Sequence, residues 1–347
     1  VGVYAAGCWR GEGCNSFQEL VWCFSWNEWK NEDYQCVSVV MIEVSNFDSF
    51  SWFYLLLYLD LLNLNLTVWL LVIIYYSHST VNDNGVNGIR ASNNGKSVFV
   101  KNYDAGGSIE LKDITANDNG FSATYDGIYI PENSKNIHLK NVIANGNSDD
   151  GIWIRESNEI RLEDIEASVN GDDGIFIKTS TKIDLENIET NDSAEHGIFI
   201  ETSDTIDLKT AVTSGNGVDG IFILSSNNTH LENIEASVNG WSGIFIAESL
   251  DMSINKAEFT GNTDGIYVTL SEMIDLKSVV ANDNGFDGIL IETSNNIHLK
   301  TAVASGNGDD GIKLQGSDVF PCSDISIDKA EFTGNTYGIR VTLSEKI

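Results

Sequence analysis

The sequence predicts a solenoid of parallel β-strands, and three observations lead to it. A phrase of the form Gly-Ile-x-(Ile/Val/Leu) recurs with its glycine at 127, 151, 174, 197, 220, 243, 265, 288, 311 and 338. The spacings are 24, 23, 23, 23, 23, 22, 23, 23 and 27 residues, and a fixed period in this range marks a repeat architecture. Inside each period apolar residues alternate: Ile175 and Ile177 flank Phe176, then Ile183 and Leu185 flank Asp184, with Ile188 following. Alternation of this kind is the strand signal. Turn residues punctuate the runs at Asn170-Gly171-Asp172 and Thr179-Ser180-Thr181, and no interval is long enough for a crossover helix. Successive coils must therefore stack strand on strand. About ten coils of 23 residues give a rod roughly 45–50 Å long.

In chain order, residues 1–80 stand apart. They hold six of the eight Trp and four of the five Cys but only four of the 31 Gly, and no 23-residue period runs through them. Trp52 to Tyr76 has the length of a membrane span, yet Asp60, Asn63 and Asn65 interrupt it and no Lys or Arg flanks it. The alternation Leu62-Asn63-Leu64-Asn65-Leu66 suits a strand as well. This segment is expected to be a hydrophobic cap or side cover for the solenoid, with a membrane anchor as the alternative; a membrane is a partner only in that second case. Cys8, Cys14, Cys23 and Cys36 do not follow zinc-ligand spacing; a small disulfide cluster and four unpaired thiols both remain open.

Residues 81–347 are the solenoid. The approach to its regular part is uneven, with about 16 surplus residues divided between 93–107 and 121–125. Six residues after the glycine stands Ser157, Ser180, Ser203, Ser226, Ser249, Ser271, Ser294, Ser317 and Ser344. Four before it stands Asn147, Asn170, Asn216, Asn239, Asn284 and Asn307, shifted by one at Asn262 and Asn335. Stacked identical side chains at turns are expected to bond up and down the rod. Cys322 lies in a late insertion, 316–323, where it would staple that loop or pair with another chain. Residues 329–347 nearly repeat 256–274 and stop in mid-coil, so the solenoid is expected to continue past them or to meet another molecule there.

Alternation sends the residue two after each glycine outward. This gives an aromatic stripe of Tyr129, Trp153, Phe176, Phe199, Phe222, Phe245 and Tyr267, with Leu290, Lys313 and Arg340 beyond it. Such a stripe is larger than a monomer normally leaves bare. It would be covered by residues 1–80, form a contact between chains, or act as a platform for sugar rings. Arg155 and Lys178 point out from the same strands. Beside the stripe Asp126, Asp150, Asp173, Asp219, Asp264, Asp287 and Asp310 directly precede the glycine, and three of them are doubled as Asp149-Asp150, Asp172-Asp173 and Asp309-Asp310. His196 takes this turn position on the coil after Asp173, next to Glu195. Asp149, Asp150, Asp172 and Asp173 form the candidate metal cluster, with Ca2+ the candidate cation and no other cofactor indicated.

The coils from about Asn82 to Ile347 resemble the right-handed parallel β-helix of the pectin-lyase-like superfamily, in its right-handed β-helix repeat form. The resemblance covers about three-quarters of the chain and implies the fold; lyases, hydrolases, epimerases and adhesins share it. The order Asp-Gly, Asp-Asp-Gly, His-Gly at one-coil spacing is similar to the polygalacturonase family. That similarity implies a catalytic set of Asp150, Asp172, Asp173 and His196. The family's Arg-x-Lys strand is replaced here by Gly220-Ile221-Phe222-Ile223-Leu224, and the Asp-Pro-His-Glu set of the alginate epimerases is absent. Asp-Asp-Gly-Ile also recurs at Asp309, so a turn-forming ladder is the competing reading.

The formal charge of −31, from 51 acidic and 20 basic residues, argues against nucleic acid as a partner. Taken together, the expected function is an exported structural or adhesive β-helix of a cell surface, matrix or filament, acting outside the cell. Its partners would be itself, another surface protein or a polysaccharide. The alternatives are a polysaccharide hydrolase or lyase, and carbohydrate binding without turnover.

Overall fold

The computed structural model describes residues 109–119, 125–132, 134–317 and 321–342, together with short strand segments in residues 3–99 and at 344–345. The chain divides into two compact units, Val1–Trp69 and Leu70–Ile347. In the first, strands Val3–Ala5, Gln18–Phe24, Ser38–Glu43 and Leu56–Tyr58 pair antiparallel in sequence order. The cap, side-cover and anchor expectations rest on parts of residues 1–80 that lie outside the described residues, as do the surplus residues 93–107 apart from strand Val98–Phe99 and residues 121–124. No helix among the described residues is long and apolar enough to cross a membrane.

The second unit is the expected solenoid. One parallel sheet is built from short strands such as Ile175–Lys178, and it runs in sequence order from Val98–Phe99 to Tyr337–Thr342. The other is built from long strands such as Thr181–Asn191. Register sets like on like: Ile152 pairs Ile175, which pairs Ile198, then Ile221 and Ile244. Ile154, Ile177, Ile200 and Ile223 do the same one pleat on, and all of these are fully buried. Each coil thus buries its own few aliphatics against identical neighbours, and the summed burial along the rod is the main stabilising term.

The long strands hold a feature that two alternations per coil do not anticipate. In Thr181–Asn191 the burial runs inward at Ile183 and Leu185, outward at Glu186 and Asn187, then inward again at Ile188 and Thr190. Two consecutive outward residues break the period of two. Asn187 does so in the left-handed region at φ 56°, and the bend gives the coil a third side. The same corner is made by Asn141, Asp164, Thr210, Asn233, Lys256, Ser278 and Thr301.

The repeated glycine owes its place to a close approach rather than to its φ. A Cβ on Gly174 would lie 2.5 Å from the Gly197 carbonyl oxygen and 2.7 Å from that of Ala167. Gly127, Gly151, Gly197 and Gly220 are held in the same way by the next coil's backbone.

The serine and asparagine columns are hydrogen-bonded ladders. Ser157 N–H donates to Ser180 Oγ at 3.1 Å, Ser180 N–H to Ser203 Oγ at 3.1 Å, and so on to Ser294. Each of these hydroxyls donates in turn to the carbonyl two residues before it, as Ser180 does to Lys178 at 2.9 Å. In the asparagine column Asn147 Nδ2 donates to Asn170 Oδ1 at 3.0 Å, and the run from Asn216 to Asn335 repeats this.

Among the described residues the asparagine ladder breaks once, where Ser193 replaces the expected residue. Asn170 Nδ2 and Ser193 Oγ are both buried without a hydrogen-bond partner. Ser193→Asn is expected to restore the missing rung. The neighbouring coil already holds Asn216 together with Thr213, the same pairing that Asn at 193 would make with Thr190. Satisfying the orphaned amide should stabilise the chain by about 1–2 kcal/mol, a rise in melting temperature of about 3–5 °C. Thermal unfolding followed by circular dichroism checks it.

Cys322 fills the core with its thiol directed at the Ile291 carbonyl oxygen, 3.7 Å away. The stapling or intermolecular pairing expected of it is thereby corrected: a fully buried free sulfur reaches neither the loop surface nor another chain.

Candidate functional site

The turn that leads from each long strand into the next short strand carries the acidic residues. Its ridge is itself bonded coil to coil: Asp172 N–H donates to the Asp149 carbonyl at 3.2 Å, and Glu195 N–H to that of Asp172 at 3.1 Å. The residue just before the glycine turns inward. Asp126, Asp150, Asp173, Asp219, Asp287 and Asp310 are buried, while Asp149, Asp172 and Asp309 are half-buried on the ridge. Of these inward carboxylates, all but Asp310 accept a backbone N–H from the following coil. Asp150 Oδ1 takes it from Asp173 at 3.0 Å, Asp173 Oδ1 from His196 at 2.8 Å and Asp219 Oδ1 from Ser242 at 2.8 Å.

Burial disfavours the charged carboxylate, and the neighbouring carboxylates add to it. Asp150 is pushed up to about 10 by burial and by the charges of Asp173 and Asp126. Asp126 is pushed up to about 8 by burial and by Asp149. Asp173 reaches about 7, because His196 partly offsets its burial. Asp149 and Asp172 are raised by their partial burial, Asp172 also by the charge of Asp149. Oxygens of Asp150, Asp172 and Asp173 all lie within 4.8 Å of one another, close enough to share a proton or a divalent cation. Asp287, Asp309 and Asp310 form an equivalent group at the eighth and ninth of the ten repeated glycines, where Arg340 pairs with Asp309 at 2.9 Å and Asp310 at 3.1 Å.

His196 is the one imidazole in this column. Its side chain is 13% exposed, and Nδ1 lies 3.3 Å from Asp219 Oδ2. Its ring leans on Phe199 and Phe222, with centroids 5.3 and 5.1 Å away. Burial opposes the imidazolium, but the hydrogen bond to Asp219 and the charges of Asp173, Asp219 and Glu195 outweigh it and raise the pKa.

The aromatic stripe lies beside this ridge. Tyr129, Trp153, Phe176, Phe199, Phe222, Phe245 and Tyr267 stack in one file, half-buried, mostly 4.6–4.8 Å centroid to centroid, with the Trp153–Phe176 step at 6.1 Å. Most steps are within 7° of parallel. Ring faces are therefore largely taken up by neighbouring rings, and edges turn to solvent. Arg155 and Lys178 flank the far side of the stripe. Arg155 pairs with Glu132 at 3.2 Å and Lys178 with Glu201 at 2.7 Å.

The structure thus brings Asp149, Asp150, Asp172, Asp173 and His196 together on adjacent coils and sets Arg155 and Lys178 across the aromatic file from them. Asp219, whose backbone N–H donates to His196 Nδ1 at 3.3 Å, was visible in the sequence only as another rung. Trp241 and Phe286, exposed on the ridge, went unnoticed because they interrupt the acidic pattern instead of repeating it.

The stacked parallel coils, the ladders and the repeated turn define a β-helix. The chain belongs to the family described as the right handed beta helix region, which matches residues 74–206 and 173–332. No curated protein matches it. Among solved structures it is similar to the A-module of the mannuronan C-5 epimerase AlgE6 from Azotobacter vinelandii. The identity is 16%, over 73% of this chain and 79% of that one, with a TM-score of 0.58. It is also similar to the Dettilon tailspike protein, at 13% identity over 71% of this chain and 61% of that one, with a TM-score of 0.50. At these identities the likeness is one of fold.

Proposed function

We propose that this chain is a non-enzymatic β-helix of an exported surface, matrix or filament, working as an adhesive rod. One observation carries the reading. Asp150 and Asp173, the carboxylates best placed for acid–base chemistry, are buried and engaged by the next coil's N–H, as Asp219 and Asp287 are in coils of other composition. The Asp-Asp-Gly turn is a rung used more than once, and its chemistry is that of a ladder. The carbohydrate connection has support from the fold: one similar structure is a mannuronan epimerase and another a tailspike.

The second reading is a polysaccharide hydrolase or lyase at Asp150, Asp172, Asp173 and His196. It is favoured by His196, an imidazole of raised pKa held between Asp173 and Asp219. Incubation with a panel of uronate-containing and neutral polysaccharides separates the two. The expected result is no new reducing ends, no unsaturated uronate absorbance and no epimerised residues. On the adhesive reading the purified chain associates or is retained on a glycan array. Turnover that Asp173→Asn abolishes would overturn the proposal.

A further inference from the structure

The ridge runs Asp149, Asp172, Glu195, Val218, Trp241, Thr263, Phe286, Asp309 in strict coil order. Backbone bonds of 2.8 Å from Val218 N–H to Glu195, 2.8 Å from Trp241 to Val218, 2.6 Å from Thr263 to Trp241 and 2.8 Å from Phe286 to Thr263 fix that order. In its middle the carboxylates give way to apolar residues. Trp241 is 62% exposed and Phe286 60% exposed, the most solvent-accessible aromatic side chains among the described residues. They differ from the seven-ring file in one decisive respect. Neither takes part in an aromatic stack among the described residues and both are mostly exposed, whereas the rings of the file are half-buried and stacked on one another. They are two coils apart, roughly 9–10 Å along the rod. That is close to the two-residue repeat of an extended β-1,4-linked glycan lying along the axis.

Charge selects among glycans. Beyond Val218, the next three ridge positions toward the N-terminus are Glu195, Asp172 and Asp149, and no Lys or Arg among the described residues pairs with them. The carboxylates on the ridge continue in line with the two rings, and the chain as a whole carries −31. An anionic glycan would meet repulsion at the acidic stretch from Glu195 to Asp149; an amine-bearing one would meet attraction there.

We propose that the ridge from Asp149 to Phe286 is a track for a linear amino-polysaccharide. Alternate sugar rings stack on Trp241 and Phe286, and the ammonium groups of the continuing chain face Glu195, Asp172 and Asp149. The proposal rests on the adhesive reading above and gives it a ligand class. The two rings supply affinity through apolar contact, and the carboxylates supply the preference for amines.

Titration calorimetry with a β-1,4-linked glucosamine oligomer, a cello-oligomer of the same length and an oligomannuronate tests it. The glucosamine oligomer is expected to bind at least about 10-fold more tightly than the neutral one, and the mannuronate not at all. The double variant Trp241→Ala/Phe286→Ala should lose about 10-fold or more toward both the glucosamine and neutral oligomers, with an unchanged melting temperature because both side chains are exposed. Asp172→Asn/Glu195→Gln should erase the preference for amines while leaving the neutral oligomer's affinity in place. Equal affinity for the mannuronate, or binding untouched by the double aromatic variant, overturns the track. Adhesion that persists in that variant would sink the track and leave the adhesive reading standing. Cleavage of the bound oligomer, blocked by Asp173→Asn, would do the reverse.

Discussion

Gly174→Ala is expected to destabilise the solenoid by roughly 3–5 kcal/mol, enough to lower the melting temperature by 10 °C or so or to prevent folding. The added methyl carbon would meet two backbone carbonyl oxygens, Gly197 at 2.5 Å and Ala167 at 2.7 Å, and Thr190 Cβ at 2.9 Å. Carbonyl oxygens in a bonded ladder cannot step aside as the tip of a flexible side chain does. Relief requires the coils to separate, and separation breaks the parallel ladder on both sides. Gly285→Ala is the matched control. Nothing lies nearer than 3.7 Å to its Cβ, and its φ is outside the left-handed region, so a change within about 0.5 kcal/mol is expected. Equal destabilisation by the two substitutions, measured by thermal or urea unfolding, would contradict the close-approach account of the repeated glycine.

The second large effect is on the pH dependence of stability. Asp173, Asp126 and Asp150 titrate at about 7, 8 and 10 when folded, against 3.8 for the ordinary side chain. Between pH 4 and pH 10 the folded chain therefore holds protons that the unfolded chain has released, and stability falls as pH rises through that window. His196 acts in the same sense. Its raised pKa makes its stabilising contribution complete below the ordinary value of 6.5 and lost as pH climbs past the folded one. Opposing them, Glu159, Glu163 and Glu232 are held low by hydrogen bonds from Lys182, Lys140 and Lys256, and their contribution is lost only in acid below about 4.5. Maximal stability is expected near pH 5, with a lower melting temperature at pH 8. Asp150→Asn keeps an acceptor for the Asp173 N–H without the charge. It should recover on the order of 3 kcal/mol at pH 8 and almost nothing at pH 4. Ca2+ held by Asp149, Asp150, Asp172 and Asp173 would replace the protons, and would make the melting temperature at pH 8 respond to chelator. A melting temperature that rises from pH 5 to pH 8 would refute the account.

Legibility in the sequence followed repetition. The strands, their parallel register, the glycine, the serine ladder and the aromatic file were all readable, because each is one residue type at one place in the period. The third side of the coil was not readable. Its corner needs only a left-handed residue, and Asn187, Thr210, Lys256 and Ser278 satisfy that demand without sharing a side-chain chemistry. The candidate site was half readable. The sequence placed Asp149, Asp150, Asp172, Asp173 and His196 on adjacent coils but not their depth. Which member of each Asp pair turns inward depends on the turn's backbone, and the inward one proves to be that next to the glycine. Whether a stacked ring offers its face or its edge is likewise a matter of tilt, which no spacing rule reports.

Because every coil touches only the coil before and the coil after, the molecule behaves as an extensible ruler. Adding or removing one whole 23-residue winding reproduces interfaces already present and alters reach in increments of a single strand spacing. A gain or loss of one residue inside a winding has the opposite consequence, since it turns every following side chain of that strand inside out. Unequal recombination between near-identical windings can therefore lengthen such a protein without any compensating change elsewhere, whereas frame-preserving point insertions within a strand cannot.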